Sequence, residues 1–321
     1  MKINLFTKLI FAMLLAFTVN SFVYFAFGNI YSSKILNYQS FQEQFNSGIY
    51  QYRILSGHFL VWIYDFLGSL KLNYDVFKLK FLNPDSEPQM FLSFYVLNTF
   101  FTVLSAVMMV LITETKNFVA TDSEKILITA AGIFTIALTQ FVIVPYDASS
   151  YFFLLLFFYF LLKYLEKNNS LNLIILAAII IISTLNRESS ALSISLAATL
   201  LYSKFGIKKE SIVPVAVVGI TFVAVYLGMR FVNQSFSTND GSLLTENFTQ
   251  PKNFLGILFW AVFFVFSLMI SNGRRNIKNI VLFHIWAIPY IIMCFYTGIL
   301  YEARLYVPLF LTSLLLGKVS T

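Results

Sequence analysis

Long apolar runs alternate with short polar connections along the whole chain. A helix that crosses a bilayer needs about 20 apolar residues. Six runs are long enough, and they cover residues 5–27, 89–112, 125–144, 211–232, 254–272 and 279–300. Four shorter runs reach that length if each gains a turn from its flanks, namely 146–165, 171–186, 189–203 and 304–318. The pattern predicts an all-α, polytopic membrane helix bundle of about ten transmembrane helices, forming a single integral membrane domain over residues 1–321.

Two segments after the first run are compatible with helices but unsuited to crossing. Residues 58–70 are apolar, but Asp65 interrupts them, and at about 1.5 Å per residue they are too short for a core of about 30 Å. Residues 31–47 mix apolar and polar side chains like a helix on a membrane surface. We expect two juxtamembrane helices within an external loop over 28–88. A second external loop, 233–253, is rich in polar and small residues, and it is predicted to be flexible.

The basic residues give an orientation. Under the ten-crossing interpretation, one side holds 13 of the 22 basic residues but only five of the 15 acidic ones. These basic residues are Lys2, Lys8, Lys116, Lys125, Lys163, Lys167, Lys204, Lys208, Lys209, Arg274, Arg275, Lys278 and Lys318. Positive charge in short loops marks the cytoplasmic side, so we expect both termini to be cytoplasmic. Pro289 lies inside an apolar run and predicts a kink there.

The composition disfavours several classes of protein. The chain is 58% hydrophobic and 12% charged, whereas about a quarter of a soluble domain is charged. The net charge of +7 lies mostly beside helix ends, where it orients the protein and meets anionic lipid rather than nucleic acid. Cys294 is the single cysteine, so the chain can form neither an internal disulfide nor a cysteine-based metal site. The sequence has no Walker or Gly-x-Ser-x-Gly motif, which disfavours an ATP-driven pump or a lipase of the usual kind.

Two short connections on the predicted external side each combine an arginine with a glutamate. Arg187 and Glu188 lie together in one, and Glu302 and Arg304 lie in the other. Ionisable groups at such a depth are costly and usually face a wet cavity or a partner. A plainer interpretation is that each pair caps a helix and snorkels to the interface. The repetition of the combination favours a functional role.

Four further residues on the predicted external side are candidates for chemistry. Asp147 lies between two apolar runs, where it is either a helix cap or a carboxylate that lines a cavity. Arg53 follows two tyrosines, and it either anchors the chain at the interface or binds a phosphate through its fork of donors. Glu43 and Asp65 are acids of the two juxtamembrane segments, and Asp65 interrupts an apolar stretch.

In the order of its elements the chain resembles the GT-C class of membrane glycosyltransferases. Those enzymes have a cytoplasmic N-terminus, a first span, a large external loop with two juxtamembrane helices, and then a bundle with short loops. Here the run 5–27, the segments 31–47 and 58–70, and the later runs follow that order. The acid that the class usually carries close to the end of the first span is missing from residues 28–31, and the first acid is Glu43.

The resemblance implies transfer of a sugar from a lipid-phosphate carrier to an envelope glycan or lipid, at the outer face of a bacterial cell membrane. The implied partners are a lipid-linked sugar or glycan and membrane lipid, with no nucleic acid. External carboxylates would act as base or as metal ligand, which leaves a divalent cation open as a cofactor, and external arginines would hold the phosphate. The candidate acids are Glu43, Asp65, Asp147, Glu188 and Glu302, and the candidate phosphate-binding residues are Arg53, Arg187 and Arg304.

Three alternatives remain open. An envelope oligosaccharide polymerase or ligase would use the same arginines on a lipid-linked diphosphate, with less need for a carboxylate. A transporter or flippase would be favoured by broken helices and ionisable residues near the midplane, whereas the candidate charges lie towards one face. A structural or assembly protein of the membrane would use the charged turns only as anchors.

Overall fold

The computed structural model describes residues 3–31, 33–234 and 241–320, and this part of the chain is all-helical, with 14 α-helices and no β-strand. The helices are α1 Leu5–Tyr31, α2 Tyr38–Phe45, α3 Ile54–Ser69, α4 Pro88–Thr113, α5 Asp122–Leu138, α6 Asp147–Glu166, α7 Ser170–Asn186, α8 Ala191–Phe205, α9 Lys209–Val232, α10 Leu244–Thr249, α11 Phe254–Met269, α12 Arg274–Trp286, α13 Ile288–Thr297 and α14 Val307–Leu316. The predicted all-α class is therefore confirmed, whereas the number of about ten transmembrane helices stays a prediction.

Every apolar run of the sequence overlaps one of these helices, or in one case the pair α12 and α13. Six helical segments are long and apolar enough to cross a membrane, built on α1, α4, α5, α6, α9 and α11. The bent pair α12 and α13 makes a seventh if it counts as one span, and α7 and α14 are apolar but shorter. The chain is thus a multi-pass membrane protein.

Helices α4 and α6 form the centre of the bundle. About two thirds of the apolar stretch of each is buried, and α4 packs against α1, α3, α5 and α6. In contrast, α9 and α11 bury little of their surface, and their large apolar side chains point outward. Apolar side chains on the outside of a helical bundle are suited to contact with lipid.

A bend of 51° separates α12 from α13. The break falls at Ala287, and Pro289 occupies the first turn of α13, where its missing N–H and fixed φ are tolerated. The kink predicted from Pro289 is therefore confirmed.

The first external segment is more divided than predicted. Residues 31–47 do not form one helix, because a 3-10 turn over Ser33–Leu36 ends before Asn37, whose side chain caps α2 by accepting from the Ser40 amide at 3.1 Å. The helix predicted at 58–70 begins earlier, at Ile54.

Helix α3 contacts one end of the bundle at both of its own ends. Near its start, Ser56 donates to Ser149 of α6 at 2.8 Å. Towards its other end, the Tyr64 hydroxyl donates at 2.7 Å to Glu87, the residue before α4. A helix that crossed the bundle would have its two ends on opposite sides, so these contacts support a helix that lies across one end.

Part of the second predicted external loop is structured. Residues 235–240 lie outside the described residues, whereas α10 and a 3-10 turn over Pro251–Asn253 follow in the second half. Asn247 of α10 is buried, and its amide donates to the carbonyls of Phe295 and Gly298 at 3.0 and 2.7 Å. The loop that the sequence predicted to be flexible thus contains helical turns over residues 244–249 and 251–253.

The connections meet at two ends of the bundle. At one end, which we name the lysine end, Lys8 of α1 pairs with Glu114 and Asp122 at 2.7 and 2.5 Å. Lys318, beyond α14, pairs there with Glu124 at 2.7 Å. The chain segments next to both termini therefore lie beside the same connection, α4 to α5. At the opposite end, the connections that precede α6, α8 and α14 come together.

Candidate functional site

Four separate parts of the chain bring six charged side chains together at this opposite end. We name the set Arg53, Asp147, Arg187, Glu188, Glu302 and Arg304 the arginine–carboxylate cluster, and the end that carries it the arginine end. The segment before α3 and the connections α5 to α6, α7 to α8 and α13 to α14 contribute its members. All six were candidates from the sequence.

Asp147 is the centre of the cluster. One of its carboxylate oxygens pairs with Arg187, and the other accepts from Arg304 Nη1 at 2.9 Å. Arg304 also reaches Glu302, with its Nη2 and Nε at 2.5 and 2.7 Å from the same carboxylate oxygen. These contacts tie three connections of the bundle into one chain of charge-assisted hydrogen bonds.

Arg53 and Glu188 form the second part of the cluster. Arg53 Nε donates to Glu188 at 3.0 Å. The guanidinium also lies over the rings of Tyr50 and Tyr146, with its carbon 5.1 and 5.5 Å from their centroids. Because Tyr146 precedes Asp147 and Glu188 follows Arg187, the two parts are joined through neighbours in sequence.

The local backbone explains how these side chains converge. Asp147 is the first residue of α6, where the helix dipole favours a negative charge. Arg187 ends α7 in an extended conformation, with φ −166° and ψ 146°, which turns the chain out of the helix. Glu302 is also extended and precedes a 3-10 turn that carries Arg304.

Uncharged side chains beneath the cluster fix the helices that carry it. Asn186 accepts from Ser56 at 2.5 Å and from Ser149 at 3.0 Å, and it donates to the Tyr146 carbonyl at 3.2 Å. This buried network joins α3, α6 and α7, and it was not predicted. The signal available in the sequence was the position of Asn186 directly before Arg187 at the end of a strongly apolar helix.

Two tyrosines that were not predicted hold the turn before α14. The Tyr151 hydroxyl donates to the carbonyl of Arg304 at 2.9 Å, and the Tyr290 hydroxyl donates to the carbonyl of Leu305 at 2.8 Å. Tyr151 follows Asp147 by four residues and so shares its face of α6. That spacing was the available signal.

The cluster is neutral in sum, and three of its six side chains are buried while the other three are partly buried. The Asp147 and Glu302 side chains are 2% and 6% exposed, whereas Glu188 is 21% exposed. Burial, together with the neighbouring charges of Arg53 and Arg304, lowers the pKa of Arg187 to about 10. Burial also opposes the charge of Arg304, but the Glu302 carboxylate outweighs it and raises the pKa of that guanidinium.

The structure does not bring Glu43 and Asp65 to the cluster. Glu43 lines an open groove of about 800 Å³ on the segment between α1 and α4, together with Lys34, Asn37 and Asp85. Asp65 is exposed on α3. Within the described residues, no group of three or more His, Cys, Asp or Glu side chains is placed to hold a metal ion.

No protein-family model, curated protein or solved structure matches the chain.

Proposed function

We propose that the chain is a membrane glycosyltransferase that moves a sugar from a lipid-phosphate carrier to an envelope glycan or lipid acceptor at the outer face. The observation that carries the proposal is the convergence of three arginines and three carboxylates from four parts of the chain at one end of a membrane bundle. Burying so many charges is costly, and such groups in membrane proteins commonly mark a functional site.

The chemistry assigns a distinct role to each part of the cluster. A carboxylate accepts the proton of an acceptor hydroxyl while that oxygen bonds to the sugar carbon and the bond from the sugar to the phosphate breaks. Glu188 is the most exposed of the three carboxylates and is our candidate for this base. Arg53 and Arg187 stabilise the departing phosphate, which gains negative charge. Asp147 holds Arg187 and Arg304 in position.

The same proposal includes the topology. Ten crossings place the arginine end outside and the lysine end, with both chain termini, in the cytoplasm of a bacterial cell. The meeting of Lys8 and Lys318 at one end supports an even number of crossings. An arginine end at the outer face gives a carrier direct access from the outer leaflet.

The sharpest test uses the exposed pair of the cluster. Arg53→Glu and Glu188→Arg are made singly and together, and transfer is measured from a polyprenyl-phosphate sugar in membranes, normalised to folded protein. Each single change removes a catalytic or phosphate-binding group, so we expect a loss of about 10²–10⁴-fold. The double variant restores the ion pair but exchanges the two roles, so we expect transfer to stay low.

The control is the ion pair of Lys163 with Glu166 at the lysine end, 3.4 Å apart. Glu166→Gln should leave transfer per folded molecule at the parental level. Recovery of transfer in the Arg53 and Glu188 double variant would mean that this pair is structural, and the proposal would lose its base.

One observation favours a second candidate, an envelope oligosaccharide polymerase or ligase. Each of the three carboxylates of the cluster already pairs with an arginine, so the site is better supplied with phosphate contacts than with a free base. The two candidates differ in their donor. Activity with a lipid-diphosphate oligosaccharide, and none with a lipid-monophosphate sugar, would replace the first proposal by the second.

A further inference from the structure

Arg230 is a buried cation that lies outside the arginine–carboxylate cluster. It lies in the last turn of α9 and is 5% exposed. Its guanidinium carbon lies 3.6 Å from the ring centroid of Tyr226 and 4.5 Å from that of Tyr52. The two tyrosines therefore hold the flat group between helix α9 and the segment before α3.

The positive charge of Arg230 has no negative counterpart in the part of the chain that the structure describes. None of the ion pairs there includes it, and one hydrogen bond is formed, from Nη1 to the Tyr226 carbonyl at 3.2 Å. A guanidinium has several further N–H donors in a planar fork that suits a phosphate. Stacking on tyrosine rings orients such a fork without using its donors.

An apolar stripe on the surface of α9 ends close to Arg230. Ile220, Val223, Leu227 and Phe231 repeat at helical spacing and are exposed, so they form an apolar stripe along the helix. Arg230 follows Leu227 by three residues and lies beside the end of this stripe. An amphiphile whose chain follows the stripe therefore brings its head group to Arg230.

The contacts of Tyr52 continue towards the cluster. Tyr52, against which Arg230 stacks, directly precedes Arg53, whose guanidinium pairs with Glu188. The Asn233 amide, just beyond α9, donates to the carbonyl of Gln51 at 3.4 Å and holds the helix end against this segment. The two arginines thus flank one short stretch of chain.

We propose that Arg230 receives the phosphate of a membrane lipid whose apolar chain lies along α9, and presents that phosphate to the arginine–carboxylate cluster. The inference rests on the proposed function in one respect, since it assigns the lipid to the donor side of the reaction. The binding itself needs no catalysis. The ligand is therefore a phosphate carried by a long apolar chain.

The test measures binding to the purified full chain in detergent micelles. The probe is farnesyl phosphate with a fluorophore at its apolar end, and the competitors are farnesyl phosphate, farnesol, inorganic phosphate and phosphatidylglycerol. Arg230→Gln removes the charge, Arg230→Lys keeps the charge without the fork, and Arg274→Gln is the matched control on an exposed arginine at the other end.

We expect Arg230→Gln to weaken farnesyl phosphate binding by about tenfold or more, because it removes a charge-assisted contact. Arg230→Lys should lose less affinity for farnesyl phosphate, and Arg274→Gln should keep the parental affinity. Farnesol should compete weakly, and to the same extent, in all variants. Parental affinity in Arg230→Gln would overturn the proposal and leave Arg230 as an aromatic anchor. If phosphatidylglycerol competed as well as farnesyl phosphate, the assignment of the lipid to the donor side of the reaction would be overturned. If inorganic phosphate competed equally well, the requirement for an apolar chain would be overturned.

A folding defect would not hide the result. If Arg230→Gln fails to fold, Tyr52→Leu removes one of the two rings and leaves the charge in place, and it should weaken farnesyl phosphate binding without changing farnesol competition. Unchanged binding in that variant would count against the proposal. Farnesyl phosphate binding through Arg230 in a chain that transfers no sugar would refute the transferase and keep the lipid site, and the reverse result would refute only the lipid site.

Discussion

The two ends of the bundle use different cations for their ion pairs. At the arginine end every ion-paired cation that the structure describes is an arginine, and at the lysine end every one is a lysine. The acids differ as well, since Asp147 is 2% exposed whereas Glu114 and Glu124 are 28% and 41% exposed. Lys8 and Lys318 are themselves only 4% and 7% exposed, so the two ends differ in the hydration of their acids rather than of their cations.

The two ends therefore differ in what it costs to break an ion pair. At the lysine end the pairs fasten the chain near its termini to one connection, and a broken pair leaves an acid that water can solvate. At the arginine end a broken pair leaves a buried charge, which is far more expensive. Holding the chain together therefore does not by itself explain why the arginine end carries buried charges.

The largest expected effect is on accessibility. In a Cys294→Ala background, Tyr301→Cys at the arginine end should react with an impermeant maleimide added to intact cells. Arg275→Cys at the lysine end should react only after the membrane is permeabilised. Both positions are exposed in the fold, so the difference reports the side of the membrane. Labelling of position 275 from outside would invert the topology and remove the arginine end from the outer face.

Asp147→Asn should destabilise the protein strongly. The change leaves Arg187 and Arg304 buried beside a neutral amide, and breaking a buried ion pair costs about 3–5 kcal/mol. Thermal or denaturant unfolding of the purified protein in micelles measures the loss. Glu166→Gln is the control, and its exposed pair should contribute less than about 1 kcal/mol. Equal losses for the two variants would show that the ends do not differ.

A substitution that alters no charge can test whether the position of the turn with Glu302 and Arg304 matters by itself. In Gly256→Ala, the added methyl group of α11 would overlap the carbonyl oxygen of Leu300, two residues before Glu302. We expect a loss of about 1–3 kcal/mol from overpacking, together with lower transfer. Gly219→Ala on α9 has open space around the added methyl and should be neutral or slightly stabilising. Parental stability of Gly256→Ala would mean that the turn tolerates displacement.

The smallest effect is expected at the lysine end. Lys318→Gln removes the pairs to Glu124 and Asn272, at 2.7 and 2.8 Å, but Glu124 can then be hydrated. The stability should fall by about 1 kcal/mol or less, and transfer per folded molecule should not change. Loss of sugar transfer in this variant, with stability retained, would show that the lysine end contributes to activity as well as to stability.

The apolar pattern predicted the architecture well, because spanning helices are long and their composition is nearly uniform. The predicted helix boundaries were wrong where side-chain contacts determine the ends of a helix. The cap formed by Asn37 divides 31–47 into two short elements, and α3 starts at Ile54 because a 3-10 turn ends just before it. The contacts of Asn247 that order α10 are made to carbonyls about 50 positions away, which no local pattern contains.

For the cluster, the sequence predicted six members but not their partners. Counting charges in external turns identified Arg187 with Glu188 and Arg304 with Glu302 as local pairs. In the fold only the second of these pairs forms, and Arg187 instead binds Asp147, 40 positions earlier. Glu43 and Asp65 were candidates as acids of the two juxtamembrane segments, but the packing of α2 and α3 places them elsewhere.

The partners of Asp147 also impose an order on biogenesis. A ribosome delivers Asp147 first, Arg187 after one further hairpin, and Arg304 only when the last helix follows it. Until the segment with Arg304 is inserted, Asp147 has only one of its two arginine partners, and the contact between α6 and α14 is not yet made. The segment that carries Arg304 therefore completes the set of partners of Asp147, and a chain truncated before Arg304 should be degraded in the membrane rather than accumulate as a smaller version of the protein.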